Sequence, residues 1–336
     1  MMIKVIVLTI VSFLFLPNCH LDQDTGGRKL NVDQSEGSET THSWEQSDTS
    51  IALLRGPQIA WQFNFKTPNG KPYFYPLNTV GGNNLAWLRP SDHPWHYGLW
   101  FSWKFINGKN YWEEDIKTRL SEGQSTIANI SKTLSEDFSA TVEMDINYSS
   151  ETSPDVLHEK RLIKVSPPGN DGNYYIDWLL SFKSQSDSVI LDRTPPEKVG
   201  GPYYGGYAGL SYRASQYMTD RLYMDSENWT NNDTLIGHGQ KANWMDLTGR
   251  LAASNNRPGV TMFNHPDNFG KQQTSWYIFD EGDFAFYNAG LLFDEPIVIG
   301  PNDVFTLKYR VLVHDNKMTR SEINAYYKEY IELTKN

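Results

Sequence analysis

The sequence predicts an all-β protein, a large antiparallel β-sandwich that ends in one helix. Apolar residues alternate with polar ones over many short segments, turn-forming pairs such as Asn69-Gly70 and Glu281-Gly282 separate these segments, and helical spacing occurs near the C-terminus. Many strands joined by regular turns are typical of sheets packed face to face. With 336 residues the sandwich must have broad sheets and long strands.

The N-terminal segment has the pattern of an export signal. Lys4 precedes an apolar run over residues 5–16, shorter than the roughly 20 residues that a membrane-spanning helix requires. We predict a signal peptide at residues 1–18 and lipidation at Cys19, the single cysteine of the chain. The expectation is an exported lipoprotein held by the outer-membrane lipid at Cys19, facing the periplasm or the cell surface. A plain signal peptide with an incidental cysteine is the alternative.

Two regions follow the signal. Residues 19–50 are nearly all polar or small, so we predict a disordered, lipid-anchored tether there. Residues 51–336 carry aromatic and aliphatic residues throughout, and we expect a single sandwich domain. The net charge of −10 argues against nucleic acid as a partner.

Alternation with a period of two predicts the strands. Residues 142–148 alternate Val, Met, Ile and Tyr with Glu, Asp and Asn, which is typical of a strand with one buried and one wet face. In chain order the predicted strands are residues 59–65, 142–148, 157–165, 176–182, 207–212, 260–264, 284–288 and 305–313.

One helix is predicted near the C-terminus. Thr319 and Glu322 have the spacing of a capping box, in which each side chain bonds the other residue's backbone N–H. The apolar residues at helical spacing after this start are Ile323, Tyr326, Tyr327, Tyr330 and Ile331.

Residues 89–103 combine histidines, an aspartate and an arginine with several aromatic residues, a mixture that folding alone does not require. Aromatic rings offer a sugar or another flat ligand a surface to stack on, and histidines transfer protons near neutral pH. We interpret the segment as the floor of a site. Its candidate residues are Arg89, His93, Trp95, His96, Trp100 and Trp103. A Trp-rich core edge, with histidines bonded to backbone, is the alternative.

The motifs of this region resemble a known family. The segment 93–103 reads HPWHYGLWFSW and the segment 111–113 reads YWE, a pair that looks like the signature of a family of secreted bacterial proteins labelled PmoA-like. Segments 244–249 and 259–266 are similar to its later blocks. Such proteins accompany carbohydrate-degrading enzymes. The resemblance implies a β-supersandwich like that of galactose mutarotases and some polysaccharide lyases, and a carbohydrate substrate.

Breaking a glycosidic bond requires a proton donor at the leaving oxygen and a carboxylate or activated water at the anomeric carbon. Glu113 ends an aromatic run, where partial burial is expected to raise its pKa and make it a usable acid. The predicted catalytic residues are His93, His96, Glu113, Asp246 and His265. A capping role at a strand end or turn is the alternative for the carboxylates.

No cofactor is predicted, and a divalent metal is the alternative. Pro94 forbids the regular helix on which a zinc-protease histidine pair would share a face, but an extended segment still allows both rings to enter one cavity. Imidazoles and carboxylates are suitable ligands. The candidate ligands are His93, His96, His265, Glu113, Glu114 and Asp246.

Further residues are predicted to bind substrate. Residues 200–207 form a glycine and tyrosine loop that lets Tyr207 approach a polar ligand, and Arg213 has the fork geometry to bind a carboxylate or sulfate. A wide surface turn and an ordinary ion pair are the alternatives. With the residues above, the predicted binding set is Arg89, Trp95, Trp100, Trp103, Trp112, Tyr207, Arg213 and Trp244.

These observations predict an enzyme that cleaves a glycosidic bond, by hydrolysis or elimination, with His and Glu acid–base groups in an aromatic cleft. The first alternative is a surface lipoprotein that binds glycans without cleaving them. A metal-dependent oxygenase is the second. The sequence has no G-x-G-x-x-G motif, P-loop or G-x-S-x-G elbow, which argues against nucleotide cofactors and serine hydrolysis.

Overall fold

The computed structural model describes residues 41–335 apart from residues 152, 186, 232–237, 253–254 and 269–272. The predicted signal peptide and Cys19 lie outside the described residues, as does the predicted tether up to residue 40. No helix in the described part of the chain is long and apolar enough to cross a membrane.

Strands dominate the described residues, with one α-helix, α1 (Arg320–Leu333), and one 3-10 turn (Glu197–Val199). In chain order the strands are β1 His42–Gln46, β2 Ser50–Arg55, β3 Gln58–Asn64, β4 Tyr73–Leu77, β5 Leu99–Ser102, β6 Phe105–Ile106, β7 Lys109–Asn110, β8 Gly123–Leu134, β9 Ala140–Ser150, β10 Ser153–Val165, β11 Tyr174–Ser184, β12 Val189–Asp192, β13 Gly209–Arg213, β14 Thr219–Asp225, β15 Thr230–Asn231, β16 Gln240–Ala242, β17 Trp244–Arg250, β18 Gly259–Asn264, β19 Thr274–Glu281, β20 Phe284–Ala289, β21 Ile297–Ile299 and β22 Val304–His314.

Two broad sheets contain most of these strands. In the described residues the first sheet has the order β1-β2-β3-β4-β5-β13-β20-β19-β16, and the second has the order β15-β14-β17-β18-β22-β11-β10-β9-β8. A small sheet, β21-β12-β6-β7, accompanies them. Every neighbouring pair is antiparallel. The predicted large antiparallel β-sandwich with a C-terminal helix is confirmed.

Aromatic side chains fill the space between the two large sheets. Phe74 of β4 meets Trp178 of β11 with ring centroids 5.8 Å apart, and Phe101 of β5 meets Phe182 of β11 at 5.6 Å. All four are at most 2% exposed. Burying a side chain of this size stabilises the fold by about 1.5–3 kcal/mol, so these contacts help to hold the sheets together.

Helix α1 covers part of the outer face of the second sheet. The Glu322 amide donates to the Thr319 hydroxyl at 3.3 Å and the Thr319 amide donates to the Glu322 carboxylate at 2.7 Å, so the predicted capping box is confirmed. Ile323 and Tyr330 are buried in the cluster that joins the helix to the sheet. The Tyr330 ring stacks on Phe263 of β18 with centroids 6.3 Å apart.

Every predicted strand overlaps an observed one, but the tether prediction was too long. Strand β1 lies within residues 19–50 and pairs with β2, with Trp44 opposite Leu53. The Trp44 ring packs on Trp61 at a centroid distance of 5.7 Å. Backbone pairing and one tryptophan therefore order a segment whose other residues are polar, and the ordered region includes residues 42–46.

Candidate functional site

The outer face of the first sheet is aromatic where a wet face would normally be polar. Since side chains alternate along a strand, Trp100 of β5 and Phe286 of β20 point away from the intersheet core that their neighbours Leu99 and Tyr287 enter. Tyr277 of β19 belongs to the same outer cluster. This face forms the base of a cavity.

The cavity has a volume of about 290 Å³. Ligand pockets in proteins typically run from roughly 300 to 1,000 Å³, so it suits a small ring. One side consists of His93, Trp95, His96, Trp112 and Glu113, and the rest consists of aromatic residues from the loop 200–207 and from β19 and β20. The segment that the sequence marked as a site therefore does line a cavity.

His93 and His96 stand on a tight turn. The His93 amide donates to the Pro90 carbonyl at 3.1 Å and the His96 amide donates to the His93 carbonyl at 2.9 Å, which places the two rings 4.8 Å apart. Burial lowers the pKa of His93 although the Asp92 carboxylate, 2.9 Å from its Nδ1, opposes the shift. Burial lowers the pKa of His96 much further. Both imidazoles are therefore mostly neutral at pH 7.

The His96 ring is held from two sides. It stacks on Phe286 at a centroid distance of 4.9 Å and lies 5.2 Å from Trp100, which is fully buried beneath the cavity. The His96 Nδ1 is buried and has no hydrogen-bond partner among the described residues. That nitrogen has no protein partner, and Trp100, predicted to bind substrate, supports the floor from below.

Glu113 is the carboxylate of the cavity. Its Oε1 accepts from the Tyr207 hydroxyl at 2.8 Å, and its Oε2 accepts from the Asn110 amide at 2.7 Å and from the Lys104 ammonium. Burial pushes the pKa of Glu113 upward, but the Lys104 charge and these hydrogen bonds outweigh it and lower the pKa below its usual value. The prediction of a raised pKa was wrong. Glu113 is ionised at neutral pH and can accept a proton.

Arg213 lies behind the cavity wall. Its guanidinium carbon is 3.6 Å from the centroid of the Phe284 ring, and its Nη2 donates to Asp92 at 3.0 Å. The residue is 1% exposed, and burial lowers its pKa to about 10, so it stays cationic at neutral pH. The same Asp92 oxygen faces His93. Arg213 therefore orients Asp92 and is absent from the cavity lining, contrary to the prediction that it binds substrate.

Arg89 belongs to a buried network behind Trp112. Its Nη1 lies 2.9 Å from a Glu114 oxygen, and the Tyr97 hydroxyl contacts both residues. The Lys71 ammonium donates to the Trp112 carbonyl at 2.9 Å, and burial lowers the Lys71 pKa to about 8. These contacts hold the wall of the cavity. Arg89 supports the site from outside its lining, so its predicted contact with substrate is corrected.

Trp103 lies in the intersheet core. Its ring makes edge contacts with Phe101 and Phe182, each at a centroid distance of 5.1 Å. Three positions separate Trp103 from the outward-facing Trp100, and an odd offset along extended chain reverses the face. The prediction that Trp103 binds substrate was therefore wrong.

Asp246 and Trp244 lie on β17 of the second sheet, away from the cavity lining. The Trp244 indole donates to Asn324 of α1 at 2.9 Å. An Asp246 oxygen accepts from Thr261 at 2.7 Å and lies 3.0 Å from the His314 Nε2, and although burial lowers the pKa of His314, this carboxylate raises it overall. Neither residue lines the cavity that holds His93 and Glu113, so their assignment to the site is corrected.

His265 lies against the C-terminal helix. Its Nε2 is 3.0 Å from the Thr334 hydroxyl, and its ring meets Tyr330 edge-on at 5.6 Å. It therefore does not join His93 and His96, and its catalytic assignment is corrected. Within the described residues, no group of three or more His, Cys, Asp or Glu side chains is placed to hold a metal ion.

Several lining residues were missed. Phe284 and Phe286 of β20 and Tyr277 and Phe279 of β19 form one wall. A signal was present, because β20 reads FAFYNA, with aromatic residues at both alternating positions and hence on both faces. No sequence pattern indicated that Lys104 would pair with Glu113, nine residues later, because the fold brings the two side chains together.

The model of a family of unknown function (DUF6807) matches residues 50–328. The chain belongs to this family. The assignment to a PmoA-like family was therefore wrong, because it rested on a few short blocks whereas the DUF6807 model spans most of the chain. No curated protein matches this DUF6807 chain.

Three solved structures illustrate what the DUF6807 chain is similar to. A GH36 α-galactosidase from Geobacillus stearothermophilus is 10% identical with a TM-score of 0.43, over 82% of this chain and 41% of its own. A polysaccharide lyase is 10% identical with a TM-score of 0.31, over 82% and 32%. A galactose mutarotase related enzyme from Lactobacillus acidophilus is 9% identical with a TM-score of 0.24, over 83% and 100%. The chain thus spans less than half the length of the first two.

Proposed function

We propose that the DUF6807 chain binds a saccharide in the aromatic cavity and cleaves a glycosidic bond there. One observation carries the proposal: an ionised carboxylate, Glu113, and two imidazoles, His93 and His96, line the same small aromatic cavity. A sugar ring has apolar faces and a hydroxyl edge. Aromatic walls match the faces, and the few polar side chains of the lining, such as Glu113 and His93, match the edge.

The pKa directions assign the proton transfers. Glu113, ionised above its lowered pKa, accepts a proton from water, and the water oxygen bonds to the anomeric carbon. The bond from that carbon to the leaving oxygen breaks. The leaving oxygen takes a proton from the Nε2 of His93, whose Nδ1 pairs with Asp92. His93 is the proton donor only in its protonated form, so the reaction is favoured at acidic pH.

Two charged partners keep these groups in place. Arg213 bonds Asp92, which faces His93, and Lys104 bonds Glu113. Both cations are buried, and the Glu113 carboxylate is 27% exposed whereas that of Asp92 is 41% exposed, so solvent screens the Lys104 pair less than the Arg213 pair. Charged groups that are held in position before the substrate binds are typical of catalytic sites.

Product analysis by mass tests the proposal. The protein is incubated with a panel of polysaccharides and oligosaccharides, and we expect a product heavier by one water. Glu113→Gln and His93→Gln should each lower the rate at least about 100-fold, the usual cost of losing a general acid or base. His158→Gln is the matched control, because His158 also pairs with an aspartate, Asp145 at 3.3 Å, but outside the cavity lining. Full activity in both cavity variants would refute the assignments.

Glycan binding without cleavage is the second candidate. Glu113 already accepts hydrogen bonds from three protein groups, those of Tyr207, Asn110 and Lys104. A general base must keep an electron pair free for water, so these bonds favour a binding role over a catalytic one. Calorimetric binding of a glycan that stays intact after long incubation supports this candidate. A cleaved product excludes it.

Export and lipid anchoring through Cys19 are also proposed, from the apolar run at residues 5–16 and the cysteine that follows. Cells producing the protein are fed a fatty-acid analogue, and wild-type protein should carry the label. A Cys19→Ala protein with the same label would contradict the anchor.

A further inference from the structure

Two exposed tyrosines stand at the rim of the cavity. Tyr203 and Tyr204 line it while remaining 54% and 45% exposed. Their rings meet edge-on at a centroid distance of 5.4 Å, and Tyr203 lies 6.3 Å from Phe279 inside the cavity. The aromatic surface of the cavity therefore continues outward beyond the enclosed space.

The loop that carries these tyrosines is fixed by its glycines. A Cβ on Gly201 would lie 1.7 Å from the Pro195 carbonyl oxygen, and one on Gly205 would lie 2.0 Å from the same atom. The backbone therefore packs closely on Pro195 on both sides of Tyr203 and Tyr204. The Gly205 amide also donates to the Pro202 carbonyl at 2.9 Å. A tight, hydrogen-bonded loop holds the rings out in water before any ligand arrives, which lowers the entropic cost of binding.

The size of the cavity limits how many sugar units it can enclose. A volume of about 290 Å³ lies at the small end of ligand pockets and suits one sugar ring. Any further unit of a saccharide would lie outside the enclosed space, where Tyr203 and Tyr204 are the most exposed of the described lining residues. Rigid tyrosines are common at binding surfaces because each offers a flat apolar face and a hydroxyl group.

The charges of the cavity favour a neutral sugar. Among the described residues that line it, Glu113 is the ionised group and no lysine or arginine is present. Lys104 and Arg213 contact the lining residues Tyr207 and Phe284, but both are buried and paired with carboxylates. A uronate or sulfate group would therefore face an anion, with no lysine or arginine among the described lining residues to offset it.

We propose that Tyr203 and Tyr204 form a second subsite, which binds the unit next to the sugar in the cavity, and that the ligand is a neutral saccharide of at least two units. This inference rests on the proposed function, in that it takes the occupant of the cavity to be a sugar. It adds the length and the charge of the substrate.

Calorimetry on the full-length protein tests the subsite. The probes are the one- to four-unit members of the glucose, galactose, mannose and xylose series, with galacturonate oligomers for comparison. In Tyr203→Ala/Tyr204→Ala, chains of two or more units should bind about tenfold more weakly, the effect of losing one good aromatic contact, while one-unit ligands keep their affinity. Tyr217→Ala is the matched control, because Tyr217 is 71% exposed and outside the cavity lining.

The possible results separate the two proposals. Weakening confined to chains of two or more units supports the subsite, and recovery in Tyr203→Phe/Tyr204→Phe assigns the effect to the rings. If the wild-type protein binds these saccharides and the alanine variant binds every length equally well, the subsite is overturned while the proposed function stands. Tighter binding of galacturonate oligomers overturns the neutral assignment. If no saccharide binds the wild-type protein, the proposed function and the subsite both fail.

Discussion

Replacing Lys104 with methionine isolates the charge that keeps Glu113 ionised. The Lys104 side chain is 5% exposed and the Glu113 side chain 27%, and the ammonium lies 4.8 Å from the centroid of the Phe105 ring and 5.3 Å from that of Tyr207. Methionine retains most of the length and the apolar contacts with these rings. Lys104→Met therefore removes the charge and leaves a carboxylate whose burial is opposed only by the hydrogen bonds from Tyr207 and Asn110.

The expected loss of stability depends on pH. Removing one partner of a buried ion pair costs about 3–5 kcal/mol, and since water reaches part of Glu113 we expect about 2 kcal/mol at pH 7. In the wild-type protein the pKa of Glu113 is lowered, so its stabilising effect is lost as the pH falls through that pKa. In the variant the lowering effect of Lys104 is gone, so the pKa of Glu113 is higher than in the wild-type protein, and the destabilisation is relieved as the pH falls. Both effects make the difference in the free energy of unfolding between the wild-type protein and Lys104→Met smaller at acidic pH.

Urea unfolding between pH 3 and pH 7 measures this difference, because the wild-type contribution is lost below the usual pKa of a glutamate. Lys104→Met/Glu113→Gln should regain most of the loss, because no unpaired charge remains. Lys109→Met is the matched control, since Lys109 forms an exposed ion pair with Glu122 at 2.7 Å and its removal should cost at most about 1 kcal/mol. A Lys104→Met deficit of equal size across this pH range would refute the electrostatic reasoning.

Three further outcomes are expected. The rate of glycoside cleavage should fall as the pH rises through the pKa of His93, which lies below 6.5, and Asp92→Asn should move that fall to lower pH; a pH–rate profile unchanged by Asp92→Asn would contradict this. Trp103→Ala should lower the free energy of unfolding by about 3–5 kcal/mol, whereas Trp95→Ala should mainly weaken ligand binding; equal effects on unfolding would reject the separation. Thr319→Ala should cost about 1 kcal/mol in urea unfolding, and no change would reject the cap.

Strands with one buried face could be predicted from the sequence, because burial imposes alternation on each strand separately. In β9 the residues that the pattern predicts as buried, from Val142 to Tyr148, are the buried ones. The edge strand β8 was not predicted, because burial does not alternate regularly along it. β8 has a half-buried face, with Ile127, Ile130 and Leu134 packed against the core, but a register shift between Ile127 and Asn129 breaks the alternation that would have predicted it.

The site could be predicted in part. His93, Trp95, His96, Trp112 and Glu113 come from one stretch of chain, and their shared chemistry was visible before any fold was known.

The residues assigned from later segments did not join them. Asp246, His265 and Trp244 are structural residues of β17 and the helix contact. Their chemical types suit a site equally well, but strand order and face decide which residues meet, and these depend on pairings between distant parts of the chain.

The sequence by itself determined the alternation of the strands, the cap of the helix and the segment that holds the cavity's polar groups, because each depends on neighbouring residues. The tertiary structure alone decided that the outer face of the first sheet forms the base of the cavity and that Lys104 meets Glu113. The second contact reverses the expected pKa shift, since a buried charge responds to whatever the fold places beside it. That placement turns Glu113 from an expected acid into a carboxylate that accepts protons.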